Sequence, residues 1–347
     1  MRPSLTVALA AILTFLGTDR LFNRIAPPIV LREVEDGIRQ FDGSDPEVLV
    51  LGSSHARTWV AVGDSLAART GGTQQLVAVP LEYGKETSYN WVFRHRLLPI
   101  IDQRIGTEAR GRGKLARFVL LTEWWDTCPF EHGRPSFNLP ARAWRWEDFL
   151  PDFLYHGLTD YNRNFLQQRW RRMWRWSALV WDRGQDRILP ALKRLAVGED
   201  TSANRANEAA RDRTWQHDIE RGRHCIWDPG QVAGLREILD SLKRLPIEVT
   251  LVIMPRKPAT LTPLGIDSTL VPFADSLGAL ARAYGYAFVN MTTGSPMANG
   301  DWLFDNDHMN ANGNRRFAAW ALDHDLAYLL SPAVAPETRA GPTTGDP

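Results

Sequence analysis

Cysteine is scarce: the 347 residues hold two, Cys128 and Cys225. Neither sits in a zinc-ligand or thiol-exchange spacing, which excludes those motif classes. In an exported chain the two are able to form one disulfide; two unpaired thiols are the alternative. A charge excess of one sign is also lacking. Lys and Arg number 41, Asp and Glu 40, and a formal net charge of +1 gives no global reason to expect nucleic acid. A membrane-spanning apolar run is missing too. The uncharged stretch from Leu5 to Gly17, after Arg2, has the length of a signal-peptide core and is short for a span. A buried first helix is the plain alternative. No convincing small-x-small cleavage site precedes Asp19, so an uncleaved signal-anchor is as good a reading as a cleaved signal. Both put the body outside the cytoplasmic membrane. There are no internal repeats.

What is present is alternation. With 44% hydrophobic residues the chain can bury a core. Five short apolar segments read as buried strands: Glu47–Leu51, Leu76–Val79, Arg117–Thr122, Val249–Met254 and Ala287–Asn290. Helical patterns cover Ser54–Arg69, Thr87–Ile100, Gln231–Arg244, Val271–Tyr284 and Asn312–Leu326. Alternating strands and helices predict a parallel sheet covered on both faces, a three-layer α/β/α fold of flavodoxin-like type. In such sheets ligands bind beyond the carboxyl ends of the strands. The expected organisation is a signal or anchor over 1–25, sheet-forming parts at 26–127 and 246–330, a helical insertion at 128–245, and a tail without periodicity at 331–347.

The first strand runs directly into Gly52-Ser53-Ser54-His55. A hydroxyl at a strand end, opening a helix, is placed for nucleophilic attack, with helix N–H groups available to an oxyanion. A helix cap is the ordinary alternative. Serine needs a base. One is offered by "LFDNDHMNANG", Leu303 to Gly313, where Asp305 and His308 stand three residues apart. A carboxylate beside the imidazole would fix its tautomer. Alternatives are a capping loop, or a cation held by Asp301, Asp305 and Asp307, although the spacing does not fit the twelve-residue calcium loop. His55 and Arg57 read as first-turn helix residues at the rim, with Arg57 a candidate contact for an anionic substrate group.

Together the two stretches resemble the SGNH (GDSL) hydrolase superfamily. Gly52-Ser53-Ser54 is similar to its Gly-Asp-Ser block, and Asp305-x-x-His308-x-Asn310-x-x-Gly313 to its final block, in the family's order. The likeness covers roughly 45–126 and 247–330 and leaves out the insertion. It implies Ser54 as nucleophile, His308 as general base and acid, and Asp305 as orienting carboxylate, with no cofactor and no metal. It also implies an oxyanion hole from the Ser54 amide and Gly84 in "LEYGKETS". The family's asparagine after the third strand is missing from "LLTEWWDTC", which leaves two donors or recruits the indole of Trp124 or Trp125. The relaxed pattern is closest in style to the SGNH-like proteins of cell-envelope acylation, the alginate O-acetyltransferase and D-alanyl transfer type. That style implies an exported, membrane-anchored O-acyltransferase or esterase. Its substrate would be an envelope polysaccharide or an acylated small molecule, and its partner a membrane acyltransferase. A glycan- or partner-binding scaffold without catalysis is the alternative.

The insertion holds 8 of the 14 tryptophans. Arg163 to Arg183 carries six arginines against one acidic residue, with Trp170, Trp174 and Trp181 at helical spacing. Three readings stay open: an amphipathic helix packed on the core, a helix lying on anionic lipid, and a platform for stacking sugars.

Overall fold

Branched aliphatics concentrate in five short segments, and in the computed structural model each becomes a strand of one parallel sheet. The structure describes residues 29–81, 84–108, 115–128, 227–303 and 307–332, with isolated helical positions at 13, 14, 17, 150, 153, 154 and 166. Strands β1 (Val48–Ser53), β2 (Leu76–Leu81), β3 (Arg117–Leu121), β4 (Glu248–Ile253) and β5 (Ala287–Asn290) lie in the order β2-β1-β3-β4-β5. All four pairings are parallel; Val48 stands opposite Leu76 on one side and Arg117 on the other. The chain starts at β1, moves out to β2, then crosses to β3 on the opposite side. Strand order therefore reverses between β1 and β3, and the crevice beyond their carboxyl ends is where such sheets take ligands.

Side chains alternate across the sheet. Val48 and Val50 of β1 join Val119, Leu121 and Val252 in a buried cluster. Over them pack Trp59, Val62 and Leu66 of α2 (Thr58–Arg69; α1 is Ile29–Gly43). Leu49, Leu51 and Phe118 are buried on the other face. There Phe93 meets Phe118 edge-on at 5.5 Å, in the π turn Phe93–Leu97 that joins α3 (Glu86–Val92) to α4 (Leu98–Glu108). Helix α5 (Pro229–Leu242) packs against α3. Beyond α6 (Pro258–Leu264), helix α7 (Val271–Tyr284) covers β4 and β5. Finally α8 (Ala311–Asp323) lies along α2, its Phe317 and Ala321 in the first cluster. Three layers, α/β/α, result.

Each expected strand lies within two residues of an observed one, and the helix expected at Val271–Tyr284 has those bounds. Two helices, α1 and α6, are additional. Helix α1 buries Val34, Ile38 and Phe41, an i, i+4, i+7 stripe. The chain divides into two compact units, one of Met1–Arg32 with Phe130–Ala210 and one of Glu33–Pro129 with Arg211–Pro347. The sheet belongs to the second. Outside the described residues lie Asp305, Cys225, nearly all of the export segment and nearly all of Arg163–Arg183. Cys128 is disulfide-bonded. Among the described residues no helix is long and apolar enough to cross a membrane.

Candidate active site

Strand β1 is buried along its whole length and ends in Ser53. A single 3-10 turn, Ser54–Arg57, then leads into α2. Ser53 caps that turn, its hydroxyl accepting from the His55 amide at 3.3 Å. This leaves Ser54 at the mouth of the crevice. From 254 residues away, His308 Nε2 stands 2.7 Å from Ser54 Oγ, within hydrogen-bond reach of the serine hydroxyl. The loop that carries His308 is held at both ends. The Leu303 amide donates to the His308 carbonyl at 2.7 Å, and Trp302 bridges Met309. Asn310 caps α8, accepting from the Asn312 and Gly313 amides at 3.0 Å each. Gly313 is needed there, because a Cβ would lie 2.1 Å from the Asp301 carbonyl oxygen.

Four charged groups close a ring beside this pair, each from a different carboxyl-end segment of the sheet. His55 follows β1, Glu123 follows β3, Arg256 follows β4, and Asp307 precedes α8. His55 Nε2 lies 3.2 Å from Asp307 Oδ1 and 3.0 Å from the Asp307 carbonyl oxygen. Arg256 Nη1 donates to Asp307 Oδ1 at 2.7 Å, and its Nη2 donates to Glu123. Glu123 Oε1 stands 3.6 Å from His55 Nδ1 and accepts from the Met254 amide at 3.3 Å. Sign alternates around the ring. His55, Glu123 and Arg256 are buried, at 7%, 2% and 9% exposure; the Asp307 side chain is partly open. Burial works against the His55 charge, yet Asp307 and then Glu123 outweigh it and push the imidazole up to about 9. Burial likewise opposes the Asp307 carboxylate, and His55 and Arg256 hold it well below the usual carboxylate range.

The residues expected from sequence fall in different places. Ser54 and His308 meet; Asp305 lies outside the described residues. Arg57 turns to Glu33, with Nε at 3.0 Å from Oε2. The Gly84 amide donates to the Leu81 carbonyl at 3.0 Å and so closes a turn. A Cβ on Gly84 would lie 2.2 Å from Tyr89 Cε1, so the close approach of that ring itself calls for glycine. Trp124 is buried, and its indole N–H has no acceptor. His55, expected as a rim residue of the first turn, is instead buried and bonded through both ring nitrogens. Sequence reasoning passed over Glu123, Arg256 and the ring role of Asp307. The available signal was a charged residue directly after a buried strand, in "LLTEWW" and "VIMPRKP".

A second buried acidic group adjoins the ring. Asp126 Oδ2 accepts from the Glu123 amide at 3.0 Å. Glu86 is fully buried and neither carboxyl oxygen has a partner; the hydroxyls of Ser88, Tyr89 and Thr122 are likewise unpaired. Burial, then Asp126, pushes the Glu86 carboxyl well above its usual range, and burial, then Glu123, pushes Asp126 up to about 7.

Among the described residues one group is spaced for a metal ion: His55, Asp307 and His308 offer atoms within 4.8 Å of one another. Arg256 already occupies Asp307 Oδ1, and the charged form of His55 offers no lone pair, so the ring balances itself without a cation. Of the acidic residues weighed as a cation cluster, Asp301 is bonded by Arg316 at 2.6 Å and Asp307 by Arg256.

No protein-family model and no curated protein matches the chain. Among solved structures it is similar to a proposed acylhydrolase from Bacteroides fragilis, at 11% identity and a TM-score of 0.38, over 87% of this chain and 97% of that one. It is also similar to a gut microbial diltiazem-metabolizing enzyme, at 7% identity and a TM-score of 0.40, over 80% of this chain and 46% of that one. This chain thus spans under half the length of the second protein. At these scores neither likeness bears on what the chain does.

Proposed function

We propose that this chain is a serine acyl-transfer enzyme, an O-acyltransferase or esterase of SGNH type. The observation that carries the reading is the 2.7 Å approach of His308 Nε2 to Ser54 Oγ at the strand-order reversal of a parallel sheet. Ser54 Oγ attacks the acyl carbonyl carbon while its proton passes to His308 Nε2. The tetrahedral intermediate collapses, and His308 returns the proton to the departing alkoxide, leaving an acyl-serine. An acceptor hydroxyl then gives its proton to His308 and attacks the acyl carbon; the acyl–Oγ bond breaks, and His308 passes that proton to Ser54 Oγ, which restores the free serine. Asp305 is assigned the role of orienting carboxylate. The Ser54 amide is assigned to the oxyanion, and the unpaired Trp124 indole is the donor in reserve. The Gly84 amide would serve only by sharing its bond to Leu81.

The substrate side of the proposal follows the family resemblance: an exported, membrane-anchored protein that acylates or deacylates an envelope polysaccharide, supplied by a membrane acyltransferase. The alternative scaffold reading draws on two observations. Glu123 stands where the family keeps its asparagine region, and the Gly84 amide is already bonded. One experiment separates the two. A fluorophosphonate probe should label the full chain at Ser54, and both Ser54→Ala and His308→Ala should abolish labelling. A wild type that stays unlabelled, or a Ser54→Ala chain that labels, sinks the enzymatic reading. With an activated acetyl ester, acetate release that ignores every added glycan would reduce the enzyme to an esterase.

A further inference from the structure

We propose that His55 is the positioning residue of this site: bonded to Ser53 on one side and Asp307 on the other, its imidazole sets His308 against Ser54. The proposal rests on the acyl-transfer reading above and adds a role that the reading does not contain.

Ser53 and His55 flank Ser54 in the chain, and Asp307 precedes His308. A single side chain therefore ties the immediate neighbours of both reacting residues. Its Nδ1 lies 3.1 Å from Ser53 Oγ, and its Nε2 lies 3.0 Å from the Asp307 carbonyl oxygen. The two imidazoles are themselves close, with ring centroids 5.3 Å apart at 30°.

Chemistry says which form of the ring does this. Nε2 faces two acceptors, the carbonyl and carboxylate oxygens of Asp307, so it must carry hydrogen. Nδ1 faces Ser53 Oγ and, further off, the Glu123 carboxylate, which favours hydrogen there too. The groups facing the imidazole are Asp307, Glu123, Arg256 and His308. Arg256 opposes the imidazolium, but it also bonds both carboxylates and so keeps them aimed at the ring. Against burial, Asp307 and Glu123 keep His55 protonated up to about 9. At neutral pH both nitrogens then donate; in alkali the Nδ1 hydrogen goes first, so the tie to Ser53 and Glu123 loosens while Nε2 keeps its hydrogen for Asp307.

Two measurements on the full chain test this. The first is the rate of fluorophosphonate labelling of Ser54 from about pH 6 to about pH 10, alongside the unfolding midpoint. In the wild type the rate should fall as pH rises past about 9. His55→Gln places an amide N–H near the Nε2 position and should keep the rate within about 10-fold, without that alkaline fall; His55→Ala should lose about 100-fold, the order expected for a misplacement of an ångström. Equal losses in both variants, or an alkaline fall that persists in His55→Gln, overturn the positioning role.

The second measurement needs no variant to fold. Imidazole 15N resonances of the wild type should show hydrogen on both His55 nitrogens at neutral pH. A chain that labels at Ser54 yet has a bare His55 nitrogen overturns the positioning role alone. A wild type that never labels overturns the acyl-transfer reading and the positioning role with it.

Discussion

The charged ring and the acidic group beside it share Glu123, and both are buried at the carboxyl end of the sheet, yet they ionise in opposite directions. In the ring each carboxylate faces a cation: Asp307 has His55 and Arg256, and Glu123 has Arg256 and His55. Asp307 is accordingly held low and His55 high. In the acidic group Lys85 is the nearby cation, but its ammonium is drawn to Trp125, donating to the carbonyl and standing 4.2 Å over the ring. Burial raises both carboxyls, Asp126 adds to the rise of Glu86 and Glu123 to that of Asp126, and Lys85 opposes both without reversing either. Burial is common to the two regions, so burial does not decide the charge. The partner does. A site meant to hold geometry keeps its charges paired, while a group without partners keeps its protons.

The comparison breaks hardest at Arg256. Arg256→Met removes the cation that touches both carboxylates and leaves Glu123 buried and Asp307 half-buried beside it. The expected loss is about 3–5 kcal/mol, as for breaking a buried pair from one side, read from urea unfolding at neutral pH. The pH dependence of the intact ring has two edges. Asp307 has a lowered native pKa, so its contribution is present above 3.8 and is lost as pH falls. His55 has a raised one, so its contribution is complete below 6.5 and is lost as pH rises through about 9. Unfolding curves with no weakening at either edge would count against the ring as described.

Asp126 gives the mirror case. Its carboxyl moves up from 3.8 to about 7, so the native chain binds the proton more tightly than the unfolded one. Stability should therefore fall as pH rises across that interval. The size of the effect is bounded at about 4 kcal/mol by the pKa difference. Asp126→Asn keeps a carbonyl oxygen for the Glu123 amide and removes the titration. The variant should lose the Asp126 share of the slope, keep that of Glu86, and exceed the wild type in stability at pH values above about 7. An unchanged slope would show that Asp126 is not the group responsible.

The two regions also differ in how legible they were. The sheet could be read because β1 and β3 are buried along their length and β4 everywhere but Glu248, and buried strands are written as runs of branched aliphatics. That Ser54 and His308 meet, and that Gly313 sits in the first turn of α8, was legible because each obeys a local rule: a hydroxyl after a strand, a short spacing before a helix, and a small residue packed against the Asp301 carbonyl. The ring obeys no local rule. Its members lie up to 252 residues apart and are joined only when four strand ends converge. His55 misled for the same reason. Its sequence neighbours say helix turn, whereas its bonding partners are set by Asp307 and Glu123. Gly84 shows a different limit: the close approach of the Tyr89 ring by itself calls for glycine there, so the residue type alone does not point to an oxyanion donor.

The finest contrast is with the pair Arg57–Glu33. It has the same chemistry as Arg256–Glu123, with Arg57 Nε 3.0 Å from Glu33 Oε2. Its side chains, however, are 36% and 33% exposed, against 9% and 2% for the buried pair. Water already solvates much of each charge, so pairing gains little and its removal strands nothing. Arg57→Ala should change the unfolding free energy by less than about 1 kcal/mol. What effect there is should shrink further when ionic strength rises to about 1 M, where the screening length is about 3 Å. A double-mutant cycle with Glu33→Ala isolates the pair from whatever else Arg57 touches. If that coupling proves as large as the loss in Arg256→Met, exposure is not what separates the two pairs, and the contrast between a buried ring and a solvated rim has to be abandoned.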